Sequence, residues 1–150
     1  AAARRDTALF IAADPGQVVS PPDQHVQLED HPALRQMLLM RPTGEPRVAY
    51  LYARQGYQRD VVDYINERLG QAMIAISAEE ALDAGLFGPS PHAPATRERL
   101  GDVVVIMRQD YILLTAAEKE KADKMIGRHG GMVAAEMQVP WLGFRLDAHS

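Results

Sequence analysis

The chain has no cysteine among its 150 residues, which excludes disulfide bonds and thiolate metal sites. It has no phosphate-binding loop of the Gly-x-x-x-x-Gly-Lys type and no dinucleotide fingerprint. Its serines are Ser20, Ser77, Ser90 and Ser150, and none sits in a nucleophile elbow. The net charge is −4 and the basic residues are scattered, so there is no electrostatic footprint for nucleic acid. No apolar run approaches membrane-spanning length. The first residues, Ala1-Ala2-Ala3-Arg4-Arg5-Asp6, lack the apolar segment of a secretory signal. These two absences point to a cytoplasmic location and to no membrane partner. No Met precedes Ala1, so the chain reads as processed or as a piece of a longer one.

What is present is an ordinary globular composition, 47% hydrophobic and 24% charged. By length it is one domain, 1–150, able to bury a core. Thr7 to Ala13 is a continuous apolar run. It suits a strand buried on both faces, closed by the turn Asp14-Pro15-Gly16. Pro32 to Met40 reads as a short helix and Arg47 to Arg54 as a strand. Tyr57, Val61, Ile65 and Leu69 fall four apart on one helical stripe that Gly70 closes. Ala72 to Ile76 reads as a strand. Ser77 and Glu80 have capping-box spacing and open a helix ending near Gly85. The 47–85 block reads as a small α+β, cap-like subdomain. Asp102 to Met107 is a strongly apolar strand, with Tyr111 to Leu114 expected as its hairpin partner. Thr115 and Glu118 form a second capping box, heading a charged helix through Met125. Val139 to Phe144 supplies a last strand. The fold class expected is α/β: a mixed, mostly parallel sheet flanked by helices.

Two positions carry candidate chemistry. Asp14 lies just beyond a strand end, where open α/β sheets place ligands, and its carboxylate suits a divalent cation. The alternative is a turn Asp bonded to its own backbone. His129 stands in Gly127-Arg128-His129-Gly130-Gly131, a glycine-flanked turn that can present an imidazole to a metal. The alternative is a solvated loop His. His25, His31, His92 and His149 read as solvated. Tyr50, Tyr52 and Tyr57 read as core or half-buried, and the 118–124 charges as a solvated helix face.

Three segments resemble the alkaline phosphatase superfamily, nearest its type I phosphodiesterase/nucleotide pyrophosphatase branch. Thr7-Ala8-Leu9-Phe10-Ile11-Ala12-Ala13-Asp14-Pro15-Gly16 resembles that family's strand ending in Asp-His-Gly. Ala81-Leu82-Asp83-Ala84-Gly85-Leu86-Phe87-Gly88 resembles a stretch of bacterial members. Gly127-Arg128-His129-Gly130-Gly131 with Glu136-Met137-Gln138-Val139-Pro140 resembles the closing His-Gly-Gly…Glu-Met…Val-Pro segment.

The resemblance implies the C-terminal part of an alkaline-phosphatase-like fold. It implies two-metal phosphoryl chemistry with zinc or manganese on a phosphate ester or nucleotide. Asp14 and His129 match metal ligands of the family. Pro15 stands where the family has a second His and offers no ligand atom. The nucleophile and the early carboxylates match nothing in this chain. The chain alone is therefore expected to be inactive, with no catalytic residue of its own. A strand such as 7–13, lacking covering strands, exposes an apolar edge, so a homo-oligomer is expected, or pairing with an upstream half of the same protein. A non-catalytic α/β binding or interaction module built around 47–85 is the other reading.

Overall fold

A computed structural model describes residues 7–122 and 124–146. His149, Asp123 and the first six residues lie outside the described residues, as do the side chains of Glu120 and Lys121. The strands are β1 Ala8–Ala12, β2 Val18–Val19, β3 His25–Gln27, β4 Thr43–Glu45, β5 Val48–Leu51, β6 Met73–Ser77, β7 Val103–Met107, β8 Ile112–Leu114, β9 Gly127–Arg128 and β10 Trp141–Arg145. The helices are α1 Pro32–Met37, α2 Gln58–Arg68, α3 Ala78–Asp83, α4 Thr96–Leu100, α5 Ala116–Ala122 and α6 Ala134–Met137.

The centre is a four-stranded antiparallel sheet in the order β4-β5-β7-β6. β7 pairs with β5 through Val105↔Ala49 and with β6 through Val105↔Ala75. Alternation along these strands sends Leu51, Met73, Val103 and Val105 to one face, where Val61 and Ile65 of α2 pack. Val61 and Ile65 lie four apart, so one helical stripe meets the sheet. The opposite face carries Val48, Tyr50, Val104 and Ile106, covered by Ala78, Ala81 and Leu100. The 47–85 block thus shares its sheet with β4 and β7, and β7 runs between β5 and β6.

The α/β class is as expected, but pairing is less parallel than expected. Among the described residues only β3 with β8 is parallel; the other pairings are antiparallel. Parallel pairing needs a long crossover, and the stretch between Gln27 and Ile112 supplies one. The expected hairpin between 102–107 and 111–114 does not form. Both edges of β7 are already taken by β5 and β6, so after the turn at Arg108–Tyr111 the chain pairs with β3 instead. The helix expected to reach Met125 ends at Ala122. Tyr57 is 45% exposed at the α2 N-cap, one turn outside the buried stripe. Tyr50 and Tyr52 are half-buried, as expected.

β1 departs most from its reading. A strand buried on both faces is expected there, yet Phe10 is 61% and Ile11 47% exposed. Its one strand neighbour among the described residues is β10, with Phe10↔Gly143 and Ile11↔Leu142 in register. The two strands form an apolar ribbon on which Phe10 and Trp141 stack at 5.5 Å. No described helix is long and apolar enough to cross a membrane.

The Ser77 capping box is present in full: Glu80 N donates to Ser77 Oγ, and Ser77 N donates to Glu80 Oε2 at 2.8 Å. The Ser77 hydrogen bonds hold the Glu80 carboxyl below its ordinary value. Ser77→Ala is expected to lower Tm by about 2–4 °C, the effect of one lost cap in a chain of this size. Thermal melts monitored by circular dichroism check this; an unchanged Tm contradicts it.

Candidate functional site

Asp14 and His129 sit on neighbouring turns. β2 and β9 pair antiparallel, Val18 opposite Arg128 and Val19 opposite Gly127. His129 follows β9 directly, and the Asp14 turn precedes β2. Antiparallel pairing puts those two extensions at the same end of the ladder. A second tie is the hydrogen bond from Gly16 N to the Glu136 backbone oxygen at 3.2 Å. Both Asp14 and His129 are exposed. No described residue hydrogen-bonds the Asp14 carboxylate. Three other histidines depart from their solvated reading. His25 meets Ser20 O at 3.0 Å, His31 meets the Tyr64 hydroxyl at 3.2 Å and His92 meets Gly88 O at 3.1 Å. All three are half-buried.

Beneath the two turns lies an ion pair that sequence reasoning missed. Arg47 and Glu136 are both buried, the Arg47 side chain completely. Arg47 Nε donates to Glu136 Oε1 at 2.8 Å and Arg47 Nη2 to Oε2 at 2.6 Å. This is the bidentate fork that guanidinium geometry favours. Gly131 N donates to the same Oε1 at 2.9 Å, and Arg47 Nη1 donates to Tyr111 O at 2.7 Å. A Cβ at Gly131 would stand 2.5 Å from Glu136 Oε2, so the turn can close here only on glycine. Glu136 was visible in the sequence only as part of a family segment, and Arg47 only as the start of a strand. A lone charge at either end of an apolar run was the available signal.

Burial alone would raise the Glu136 carboxyl, but the hydrogen bonds from Arg47 and Gly131 and the Arg47 charge outweigh it. The carboxyl is held below its ordinary glutamate value. The unfolded chain therefore binds more protons than the folded one across the interval between the two values. Stability from this group is full above the ordinary value and is lost as pH falls through the lowered one. Tm is expected to drop steeply below about pH 4, and less steeply in Glu136→Gln. Melts from pH 7 to 3 decide it; parallel curves for both proteins contradict it.

Beside the Gly130–Met132 turn opens a cleft of about 400 Å³, lined among others by Glu45, Tyr50, Phe87, Met132 and Met137. Phe87 meets Tyr50 edge-on at 6.1 Å. Burial, with the nearby Glu45 charge, raises the Tyr50 hydroxyl above its ordinary value.

As metal donors, Asp14 and His129 supply one carboxylate and one imidazole. Among the described residues no group of three or more His, Asp or Glu side chains converges to hold an ion. Two donors fall short of the four a zinc ion takes, and Pro15 offers none. The described residues thus do not complete a metal site.

Residues 1–132 match the family model "Type I phosphodiesterase / nucleotide pyrophosphatase". The match spans both turns and the 47–85 block, and it does not favour the interaction-module reading. Comparison with curated proteins gives no match. Among solved structures, murine ectonucleotide pyrophosphatase/phosphodiesterase 5 is similar, with TM-score 0.65 and 17% identity over 93% of this chain and 34% of that one. The human counterpart gives 0.63 and 14%, again over 93% and 34%. Phosphonoacetate hydrolase from Sinorhizobium meliloti 1021, in complex with phosphonoformate, gives 0.66 and 19% over 92% and 36%. This chain spans about a third of the length of these structures. An inactive variant of the murine protein is described in complex with AMP.

Proposed function

Since this chain belongs to the type I phosphodiesterase/nucleotide pyrophosphatase family, we propose that it is the C-terminal region of a phosphohydrolase acting on a phosphodiester or nucleotide substrate. In this reading Asp14 and His129 contribute two ligands to a divalent-metal centre, zinc or manganese, completed by residues outside this chain. The observation that carries it is the placement of both turns at one end of the β2–β9 ladder. The family generally uses divalent metals, which stabilise charge on transferring phosphoryl oxygens. Exposure of both side chains leaves them open to further ligands.

Among the described residues there are too few donors and no activated nucleophile, so the chain by itself is inactive in this reading. Incubated with zinc or manganese and a chromogenic phosphodiester, it is expected to release no product above the metal blank. Hydrolysis that disappears in His129→Ala would overturn the inactivity. The exposed β1–β10 ribbon further supports self-association of the isolated chain, or pairing with complementary strands of the same fold.

A further inference from the structure

We propose that Arg47 and Glu136 are positioning residues: their buried fork fastens the Asp14 turn and the His129 turn to the central sheet and thereby sets the two donors side by side. This rests on the reading of Asp14 and His129 as joint ligands.

The connection can be followed outward from the core. The Arg47 backbone oxygen accepts from Met107 N at 3.0 Å, and Pro46 O accepts from Leu113 N at 2.9 Å. Arg47 is thus tied by its backbone to β7 and, through its neighbour, to β8. Its side chain is pinned at Nη1 by Tyr111 O. From this fixed base, Nε and Nη2 take both oxygens of Glu136. The carboxylate then holds Gly131 N, two residues from His129. The backbone oxygen of the same Glu136 holds Gly16 N, two residues from Asp14. One residue therefore links both turns to one rigid arginine. Two glycines make the approach possible. At Gly131 a Cβ would also lie 2.9 Å from Arg47 Nη2, and at Gly16 it would run into the carbonyl oxygen of Ala135.

Stability does not require an ion pair here. A buried pair gains little or nothing over apolar side chains of similar volume, because desolvation offsets the attraction. What the fork adds is direction: two parallel hydrogen bonds fix the carboxylate plane, and so fix the line along which Gly131 N can approach. Groups that must present ligands in one geometry need such support beneath them. The cluster lies directly under the only two turns that carry the candidate donors among the described residues.

The test uses the whole chain and the volume-matched double variant Arg47→Met/Glu136→Leu, followed by amide hydrogen exchange. Gly16 is the telling amide, since its acceptor is a backbone oxygen that the substitution leaves in place. Its exchange is expected to accelerate at least about tenfold, with Arg128 following, while Val105 and Ile65 in the core stay unchanged. Unchanged protection at Gly16 and Arg128 overturns the proposal. Should the double variant fail to fold, Gly131→Ala, which intrudes on the same fork, is held to the same outcome. A zinc titration runs beside it, reading Asp14 and His129 resonances. In the unsubstituted chain zinc is expected to shift both, and the variant is expected to need at least about tenfold more zinc. Equal zinc requirement overturns positioning. No shift in the unsubstituted chain overturns the joint-ligand reading instead, and the fastening then stands or falls on hydrogen exchange alone.

Discussion

Arg47→Ala is expected to cost about 3–5 kcal/mol, a large share of the roughly 5–15 kcal/mol that holds a domain together. The reason is what remains behind. Glu136 is 3% exposed, and without the guanidinium its carboxylate keeps only neutral backbone donors, Gly131 N among them. Glu136→Ala strands the opposite charge on Arg47, which is 0% exposed, and is expected to cost about as much. Arg47→Met/Glu136→Leu removes both charges together. It is expected to lie within about 1 kcal/mol of the unsubstituted chain, the remaining cost being the orphaned Gly131 amide and the Tyr111 oxygen. Urea unfolding of the four proteins as a double-mutant cycle measures this directly. Single variants as stable as the parent would mean that the pair is solvated in solution.

The second large effect concerns association. Leu9, Ile11, Leu142 and Phe144 lie on one face of the β1–β10 ribbon, and Phe10 and Trp141 on the other, because directly opposed residues share a face. Phe10 is 61% and Trp141 68% exposed. A two-stranded ribbon that is apolar on both faces is not stable in water by itself. Such a patch and its open strand edges invite a further strand or sheet. The isolated chain is therefore expected to run in light scattering at twice its 16.6 kDa mass or more. Phe10→Glu/Trp141→Lys keeps a favourable diagonal pair while removing the apolar face. It is expected to return the chain to monomer. A parent protein that is monomeric from micromolar to near-millimolar concentration contradicts the association.

Much of the central architecture was legible in sequence because periodicity reports local burial. Val61 and Ile65 announced the buried stripe of α2, and Ser77 with Glu80 announced the start of α3. Val103 to Met107 announced the central strand. What was not legible depended on pairing at a distance. Nothing near 102–114 says that β7 has both edges occupied, so the hairpin expected there could not be told from the parallel pairing with β3. The run 7–13 has the composition of a buried strand, and composition cannot say that β10 is its one described partner. The site divides in the same way. Asp14 and His129 stood out by residue type and by glycine punctuation. Arg47 and Glu136, 89 positions apart, stood out by neither. Their meeting is a consequence of the fold. The glycines at 16 and 131 hint at it only once the side chains that they make room for are known.

The most direct test of the central claim, that the Asp14 and His129 turns form a preset half of a metal centre, is calorimetric titration of the purified chain with zinc and with manganese, beside Asp14→Ala and His129→Ala. Weak binding, as two donors allow, is expected for the unsubstituted chain, with its loss in both variants. Absence of binding, or binding that survives both substitutions, would contradict the claim.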